Sequence, residues 1–99
     1  MRPIHLAQLD KRRPVVILTR EIVRPHLARV TVAPITTTVR GLSTEVTVGP
    51  ANGLEQNCVV SCDNIVTIPA VALHERLGYL LPTQEPALAE AIRLAFDLA

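Results

Sequence analysis

The sequence predicts a mostly β protein of the α+β class, namely a small antiparallel barrel that ends in one helix. Proline and glycine residues separate short apolar runs at close intervals, which is typical of barrels built from short strands. The last apolar segment repeats with a helical period instead. The chain has 99 residues, a length that suits one domain, so we expect a single domain over residues 1–99.

Three strands are predicted in the first half of the chain. Residues 4–9 form the first strand, and a polar turn over 10–13 joins it to the second strand, residues 14–19. The second strand is almost continuously apolar, so we predict that it is central in the sheet and covered on both faces. Its proline comes first, where a missing N–H is tolerated. The charged segment 20–27 is predicted as a loop, and residues 30–35 as the third strand.

The second half is predicted to contain four shorter strands. Residues 44–48 mix polar and apolar positions in near alternation, which is typical of a strand with one face in water. A loop over 49–56 follows, with a proline, an asparagine and a glycine. The remaining strands are expected at residues 59–61, 65–68 and 77–81.

A helix is predicted at the C-terminal end. Thr83 is expected to cap it, and Glu85 lies in its first turn, where a negative charge is favourable. Its apolar face is formed by residues at helical spacing, namely Leu88, Ile92, Ala95 and Phe96.

Composition and charge give only weak indications of the function. The net charge is only +1, yet eight of the ten basic residues fall within the first 40 positions. This distribution fits a local phosphate-binding patch, and it fits an ordinary solvated surface equally well. The abundance of aliphatic residues is a weak indication of a dimer. Cys58 and Cys62 are expected to be reduced packing residues.

The chain shows no targeting or membrane segment. No stretch approaches the ~20 apolar residues of a membrane span. The first residues do not form a signal peptide, because the charged residues Asp10 and Lys11 interrupt any apolar region early. We therefore expect a cytoplasmic protein.

Four short motifs resemble, in order and spacing, the MazF/PemK family of bacterial toxins. They are residues 13–18 (RPVVIL), residues 32–37 (VAPITT), Arg40-Gly41 followed by Glu45-Val46, and residues 60–67 (VSCDNIVT). The resemblance extends over residues 4–98. It implies an SH3-like barrel of the CcdB/PemK type with a C-terminal helix, paired into a homodimer. It also implies a metal-independent, cofactor-free endoribonuclease that cuts single-stranded RNA at specific sequences.

The resemblance further implies that Arg13 and Thr36 carry the cleavage. An arginine is always charged, and its planar fork matches two phosphate oxygens, while a threonine hydroxyl can bond the same phosphate. Asp10 is the candidate to orient Arg13 or to accept the proton of the RNA 2′-hydroxyl group. The residues expected to bind RNA around this site are Lys11, Arg12, Thr37, Thr38 and Arg40. Base recognition is expected in the loops over 36–43 and 49–56.

Each of these residues also has a structural interpretation. Arg13 is a charge that flanks an apolar strand and hinders aggregation, and Thr36 is a β-branched residue at a strand end. Asp10 is a turn residue. His5, His26 and His74 lie outside the motifs, so we expect no catalytic role for them.

The resemblance implies a partner as well, a MazE-like antitoxin whose disordered C-terminal tail covers the RNA groove. The main alternative is a DNA gyrase poison of the CcdB type, a binding protein with the same fold. The chain ends in Phe96-Asp97-Leu98-Ala99, without the Trp-Gly-Ile type of ending expected for that class. A second alternative is a catalytically silent adaptor with the same barrel.

Overall fold

The computed structural model describes all 99 residues and confirms the mostly β architecture with one C-terminal helix. The strands are β1 (Pro3–Gln8), β2 (Arg12–Ile17), β3 (Arg29–Thr36), β4 (Glu45–Val48), β5 (Cys58–Ser61), β6 (Val66–Pro69) and β7 (Leu73–Tyr79), and the helix is α1 (Glu85–Ala95). Single 3-10 turns occupy Arg24–His26, Pro50–Asn52, Cys62–Asn64 and Ala70–Ala72.

The strands form one curled antiparallel sheet in the order β4-β5-β3-β2-β1-β7, and β6 also pairs with β3. The long strand β3 causes the curl, because its first half pairs with β6 and its last two residues, Ile35 and Thr36, pair with β5. Pro34 lies between these two neighbours and pairs with neither of them, while on the other edge of β3 it stands opposite Val15 of β2. The sheet therefore bends at the end of β3 that carries Thr36.

Strand β2 is central and covered on both faces, as predicted, but it begins at Arg12 rather than at Pro14, so that Pro14 is its third residue and pairs with Leu6 of β1. Val15, Val16 and Ile17 are at most 1% exposed. Val16 belongs to a cluster of 13 buried residues that includes Leu88 and Ala91 of α1, whereas Val15 and Ile17 belong to a second cluster of six on the other face. Because side chains alternate along a strand, one continuous apolar run supplies both clusters.

The last strand differs from its prediction. It covers Leu73–Tyr79 rather than 77–81, and its first half contains the exposed residues His74, Glu75 and Arg76. Strand β7 lies at an edge of the sheet beside β1, so these polar side chains face water. A search for apolar runs therefore misses this half of the strand.

The start of α1 also differs from its prediction. Thr83 makes no capping hydrogen bond; Gln84 occupies the cap position, and the helix begins at Glu85. Leu88 is buried and Ile92 and Ala95 pack against the core, as predicted. Phe96 lies beyond the last helical residue and is 55% exposed, so its assignment to the apolar face was wrong. No helix in the protein has the length and apolar character to span a bilayer.

Both cysteines are free and buried, as predicted. Burial and the nearby carboxylate of Asp63 raise the pKa of Cys62 to about 11. Burial also raises the pKa of Cys58. Both thiols therefore remain protonated at neutral pH and act as packing groups.

Candidate active site

The adjacent ends of β2 and β3 form one side of a groove of about 460 Å³, which we call the Arg13 groove. The ladder between the two strands ends where Val15 pairs with Pro34, and beyond it both Arg13 and Thr36 line the groove. Most of the side chains that line this groove are polar or charged. They are Leu9, Asp10, Arg13, Pro34, Thr36, Thr38, Arg40, Leu42, Glu45, Ser61, Asp63, Asn64 and Val66.

The guanidinium group of Arg13 forms a hydrogen bond with only one protein group. Its Nη2 donates to Oδ2 of Asp10 at 3.2 Å, across the tight turn between β1 and β2. The Arg13 side chain is 23% exposed and that of Asp10 is 73% exposed. The Nε of Arg13 is buried and has no hydrogen-bond partner. Arg13 is thus oriented by one carboxylate while most of its donors remain unused by the protein.

Thr36 is oriented by the turn that follows β3. Its Oγ1 accepts a hydrogen bond from the backbone N–H of Thr38 at 3.1 Å. Because the hydroxyl oxygen serves as an acceptor in this contact, its hydrogen remains available for donation to a ligand.

Glu45 holds the segment that carries Arg40. Its carboxylate accepts hydrogen bonds from three successive backbone N–H groups at 2.9 to 3.2 Å, those of Arg40, Gly41 and Leu42. Gly41 has a φ of +74°, a left-handed conformation that glycine adopts without strain. The carboxylate therefore fixes the point at which the Arg40 side chain leaves the backbone. The sequence analysis assigned no role to Glu45, although it lies in one of the quoted motifs.

The opposite wall of the groove is the 3-10 turn between β5 and β6. Thr44 donates from Oγ1 to Oδ2 of Asp63 at 2.6 Å, and Asn64 donates from Nδ2 to Oγ of Ser61 at 2.8 Å. Ser61, Asp63 and Asn64 line the groove but were not among the predicted site residues. The available signal was these three polar residues around Cys62, between two apolar strands and inside the motif 60–67.

The structure brings together one part of the predicted site. The predicted residues that line the Arg13 groove are Asp10, Arg13, Thr36, Thr38 and Arg40.

The other predicted residues point elsewhere. Thr37 lines a separate groove on the other side of the strand ends. Lys11 and Arg12 are exposed and line neither groove, and Nη2 of Arg12 lies 3.8 Å from Oε1 of Glu75 on β7. Neighbouring residues of a strand point to opposite faces, so Arg12 and Arg13 cannot both face the same groove.

The histidines lie away from the groove, as expected from the sequence. His5 contacts the backbone oxygen of His74 through Nδ1 at 2.9 Å, and His26 is exposed. The structure contains no group of three or more His, Cys, Asp or Glu side chains arranged to hold a metal ion.

Comparison with known proteins links this chain to a family. Residues 3–96 match the family described as the PemK-like, MazF-like toxin of type II toxin-antitoxin systems. The endoribonuclease MazF3 of Mycobacterium tuberculosis is 72% identical over 98 residues, which cover 99% of this chain and 95% of that protein.

Two solved structures are similar to the whole chain. The Mycobacterium tuberculosis toxin MazF-mt6 superposes with a TM-score of 0.96 at 71% identity, with 98% of each chain covered. An endoribonuclease from a mycobacterial species, solved with its cognate antitoxin, superposes with a TM-score of 0.87 at 28% identity. The match covers 98% of this chain and 93% of that one.

Proposed function

This chain belongs to the PemK-like, MazF-like family of toxins of type II toxin-antitoxin systems, and we propose that its Arg13 groove cleaves single-stranded RNA through attack of the RNA's own 2′-hydroxyl group. The chain is an endoribonuclease, like the MazF3 protein with which it shares 72% of its residues. The observation that supports the proposed site is that Arg13 and Thr36, at the adjacent ends of β2 and β3, line the same groove.

The reaction requires charge stabilisation and two proton transfers. The 2′-oxygen forms a bond to the adjacent phosphorus, and the bond from phosphorus to the 5′-oxygen breaks. One fragment then carries a 2′,3′-cyclic phosphate and the other a 5′-hydroxyl group. The 2′-hydroxyl proton must be accepted, the leaving oxygen must gain a proton, and the intermediate carries extra negative charge on its phosphoryl oxygens.

Arg13 meets the need for charge stabilisation. Its fork can pair with two phosphoryl oxygens, and its positive charge persists at every relevant pH. Thr36 donates its free hydroxyl hydrogen to the same phosphate. Asp10 orients Arg13 through Oδ2 at 3.2 Å, and its exposed carboxylate is the group assigned to accept the 2′-hydroxyl proton, while water in the open groove returns a proton to the leaving 5′-oxygen. Because Arg13 supplies the positive charge, the proposed cleavage needs no metal ion or cofactor.

Unpaired RNA fits this site better than a duplex. An A-form duplex hides its base edges in a deep groove, so a protein that selects a sequence binds single strands. Thr38 and Arg40 lie beside Arg13 and are placed to bind phosphates that flank the scissile one. Lys11 and Arg12 would contact RNA only where it continues beyond the groove.

The family suggests protein partners for the chain. One mycobacterial endoribonuclease was solved with its cognate antitoxin. We propose that this chain likewise binds a MazE-like antitoxin whose disordered tail folds over the Arg13 groove, and that it forms a homodimer. Several apolar side chains near its C-terminus are exposed and available to a second copy, namely Leu94, Phe96 and Leu98. RNA as the substrate implies activity in the cytoplasm.

Incubation of the purified protein with single-stranded RNA and EDTA tests the function. We expect cleavage to fragments with 2′,3′-cyclic phosphate and 5′-hydroxyl ends, and mapping of the 5′-hydroxyl ends will identify the sequence that is cut. Intact RNA together with inhibited supercoiling by DNA gyrase would contradict this proposal and support the CcdB-type alternative. Intact RNA and normal supercoiling would support a silent adaptor.

The role of Thr36 can be tested by removing its hydroxyl group while keeping the β-branched shape. We expect Thr36→Val to lower kcat about 10–100-fold, because one hydrogen bond to a charged group contributes about 1.5–3 kcal/mol. Thr36→Ser retains the hydroxyl group and should cleave within a few-fold of the unmodified rate. Single-turnover cleavage of an RNA oligonucleotide measures both variants. Equal rates for the valine and serine variants would exclude a role for the hydroxyl group.

A further inference from the structure

The Arg13 groove carries more acidic than basic side chains, although a polyanion is proposed to bind there. Its lining contains three carboxylates, those of Asp10, Glu45 and Asp63, and two guanidinium groups, those of Arg13 and Arg40. A carboxylate beside a phosphate weakens binding, because like charges repel. Asp10 offsets this repulsion by its contact with Arg13, whereas Glu45 forms no ion pair with either arginine of the groove. The presence of Glu45 in the groove therefore needs another explanation.

The carboxylate of Glu45 bonds only to the backbone. Its Oε1 accepts hydrogen bonds from the N–H groups of Arg40 at 3.2 Å, Gly41 at 2.9 Å and Leu42 at 3.1 Å. Its Oε2 shares the N–H of Arg40, also at 3.2 Å. Successive N–H groups that converge in this way form a concavity that suits an anion. The negative charge of Glu45 is therefore matched by backbone dipoles and not by a side-chain cation.

Glu45 is itself fixed at the start of β4. It stands opposite Ser61 in the ladder with β5, and its backbone N–H donates to the backbone oxygen of Leu42 at 3.1 Å. At the other end of the same loop, over residues 37–44, Thr36 accepts the hydrogen bond from the N–H of Thr38. Each end of the loop is thus held by a side chain that lines the Arg13 groove.

The guanidinium group of Arg40 remains free for a ligand. Arg40 is exposed and lines the groove, and its side chain forms no hydrogen bond or ion pair within the protein. Because Glu45 bonds the backbone of Arg40 and not its side chain, all the guanidinium donors are available to a phosphate. A loop that is fixed before binding also avoids the entropy loss of being ordered on the RNA.

We propose that Glu45 is a positioning residue for RNA binding, which holds the backbone of Arg40 so that the Arg40 guanidinium group contacts a phosphate next to the scissile one. The inference rests on the proposed nuclease function and adds a residue to its RNA-binding groove. Repulsion alone predicts that loss of the Glu45 charge strengthens RNA binding, whereas the positioning role predicts that it weakens binding. The effect belongs in KM and not in kcat, because Arg13 is not in contact with Glu45.

The test compares Glu45→Ala, Arg40→Ala and the double variant with the unmodified protein. The substrate is one RNA oligonucleotide that contains the mapped cleavage sequence. We expect each single variant to raise KM about three- to tenfold and to keep kcat within about threefold. The double variant should have a KM no higher than that of Arg40→Ala, because Glu45 acts through Arg40 and the two losses are not additive.

The dependence of KM on salt concentration identifies the lost contact as one to phosphate. Each phosphate contact with a single strand contributes about 0.7 to the slope of the logarithm of the binding constant against the logarithm of the salt concentration. Arg40→Ala and Glu45→Ala should therefore each reduce this slope by about 0.7 relative to the unmodified protein. A loss of folding stability alone would leave the slope unchanged.

Two conservative variants separate the hydrogen bonds of Glu45 from its charge. Glu45→Gln removes the charge but keeps Oε1, which accepts from all three N–H groups, so KM should stay within about threefold of the unmodified value. Glu45→Asp keeps the charge but is shorter by one methylene group, so it should raise KM even if Glu45→Ala does not fold. Glu21→Ala is the matched control, because Glu21 is exposed and does not line the groove. It should keep both KM and the salt dependence.

Several results would overturn the inference. Folded Glu45→Ala, or Glu45→Asp in its place, with an unchanged or lowered KM would exclude the positioning role. Additive increases of KM in the double variant, or an unchanged salt dependence, would show that Glu45 does not act through Arg40. A fall in kcat alone would assign Glu45 to the chemistry at Arg13. If the unmodified protein cleaves RNA, these results refute only this inference; if it does not, the proposed function fails and this inference fails with it.

Discussion

Replacing Arg13 with alanine is expected to lower kcat about 10²–10³-fold, which corresponds to roughly 3–4 kcal/mol of lost transition-state stabilisation. Arg13 is the cation of β2 that lines the Arg13 groove, and Thr36 at the end of β3 lines the same groove. Its single hydrogen bond, to the exposed carboxylate of Asp10, contributes little to folding. The loss should therefore appear in the cleavage rate and not in the melting temperature.

One further variant tests whether the geometry of the guanidinium group matters, and a second is a control for the loss of an arginine elsewhere. Arg13→Lys keeps the charge but lacks the planar fork, so we expect only partial recovery of the rate. Arg29→Ala removes an exposed arginine from the opposite end of β3 and should cleave normally. The measurements are single-turnover cleavage of a labelled RNA and thermal unfolding by circular dichroism. Folded Arg13→Ala protein with an undiminished rate would refute the assigned role.

The sequence predicts the central strands better than it predicts which basic residues share a groove. The continuous apolar run 14–19 indicates a strand covered on both faces, and β2 has that position. The charge pattern of the sequence does not distinguish between the three adjacent basic residues Lys11, Arg12 and Arg13. Only the register of β2 directs Arg13 towards Thr36 and Arg12 towards Glu75 on β7. A run of charges does not reveal this register, and the motif resemblance alone singled out Arg13.

Local sequence preferences give the wrong prediction where a contact with a residue far away in the sequence determines the conformation. Threonine is a good capping residue, so Thr83 is the natural choice from the sequence. The structure instead places Gln84 at the start of α1, where its side chain bonds Asn52, a residue 32 positions earlier. The role of Glu45 is equally hard to predict from the sequence, because an acidic residue at the start of a strand forms no distinctive pattern. Its partners are backbone N–H groups, which every sequence contains.

The contact between β7 and the loop over residues 49–56, which we call the wall loop, leads to the largest expected effect on stability. Gly53 has a φ of +85°, and an added Cβ would lie 2.0 Å from the backbone oxygen of Leu77. A left-handed conformation costs a non-glycine residue about 1–2 kcal/mol, and overpacking adds about 1–3 kcal/mol. We therefore expect Gly53→Ala to lower the free energy of unfolding by about 2–5 kcal/mol. For a domain of this size, this loss lowers the melting temperature by roughly 10–40 °C.

Gly41→Ala separates the two contributions to this effect. Gly41 has a φ of +74°, close to that of Gly53, but an added Cβ at this position has nothing within 4 Å. Its replacement should therefore cost only the conformational term, about 1–2 kcal/mol. Thermal and urea unfolding of the two variants under the same conditions measure the difference. Equal losses for both would show that the wall loop can move away from β7, and its close packing there would then contribute nothing to stability.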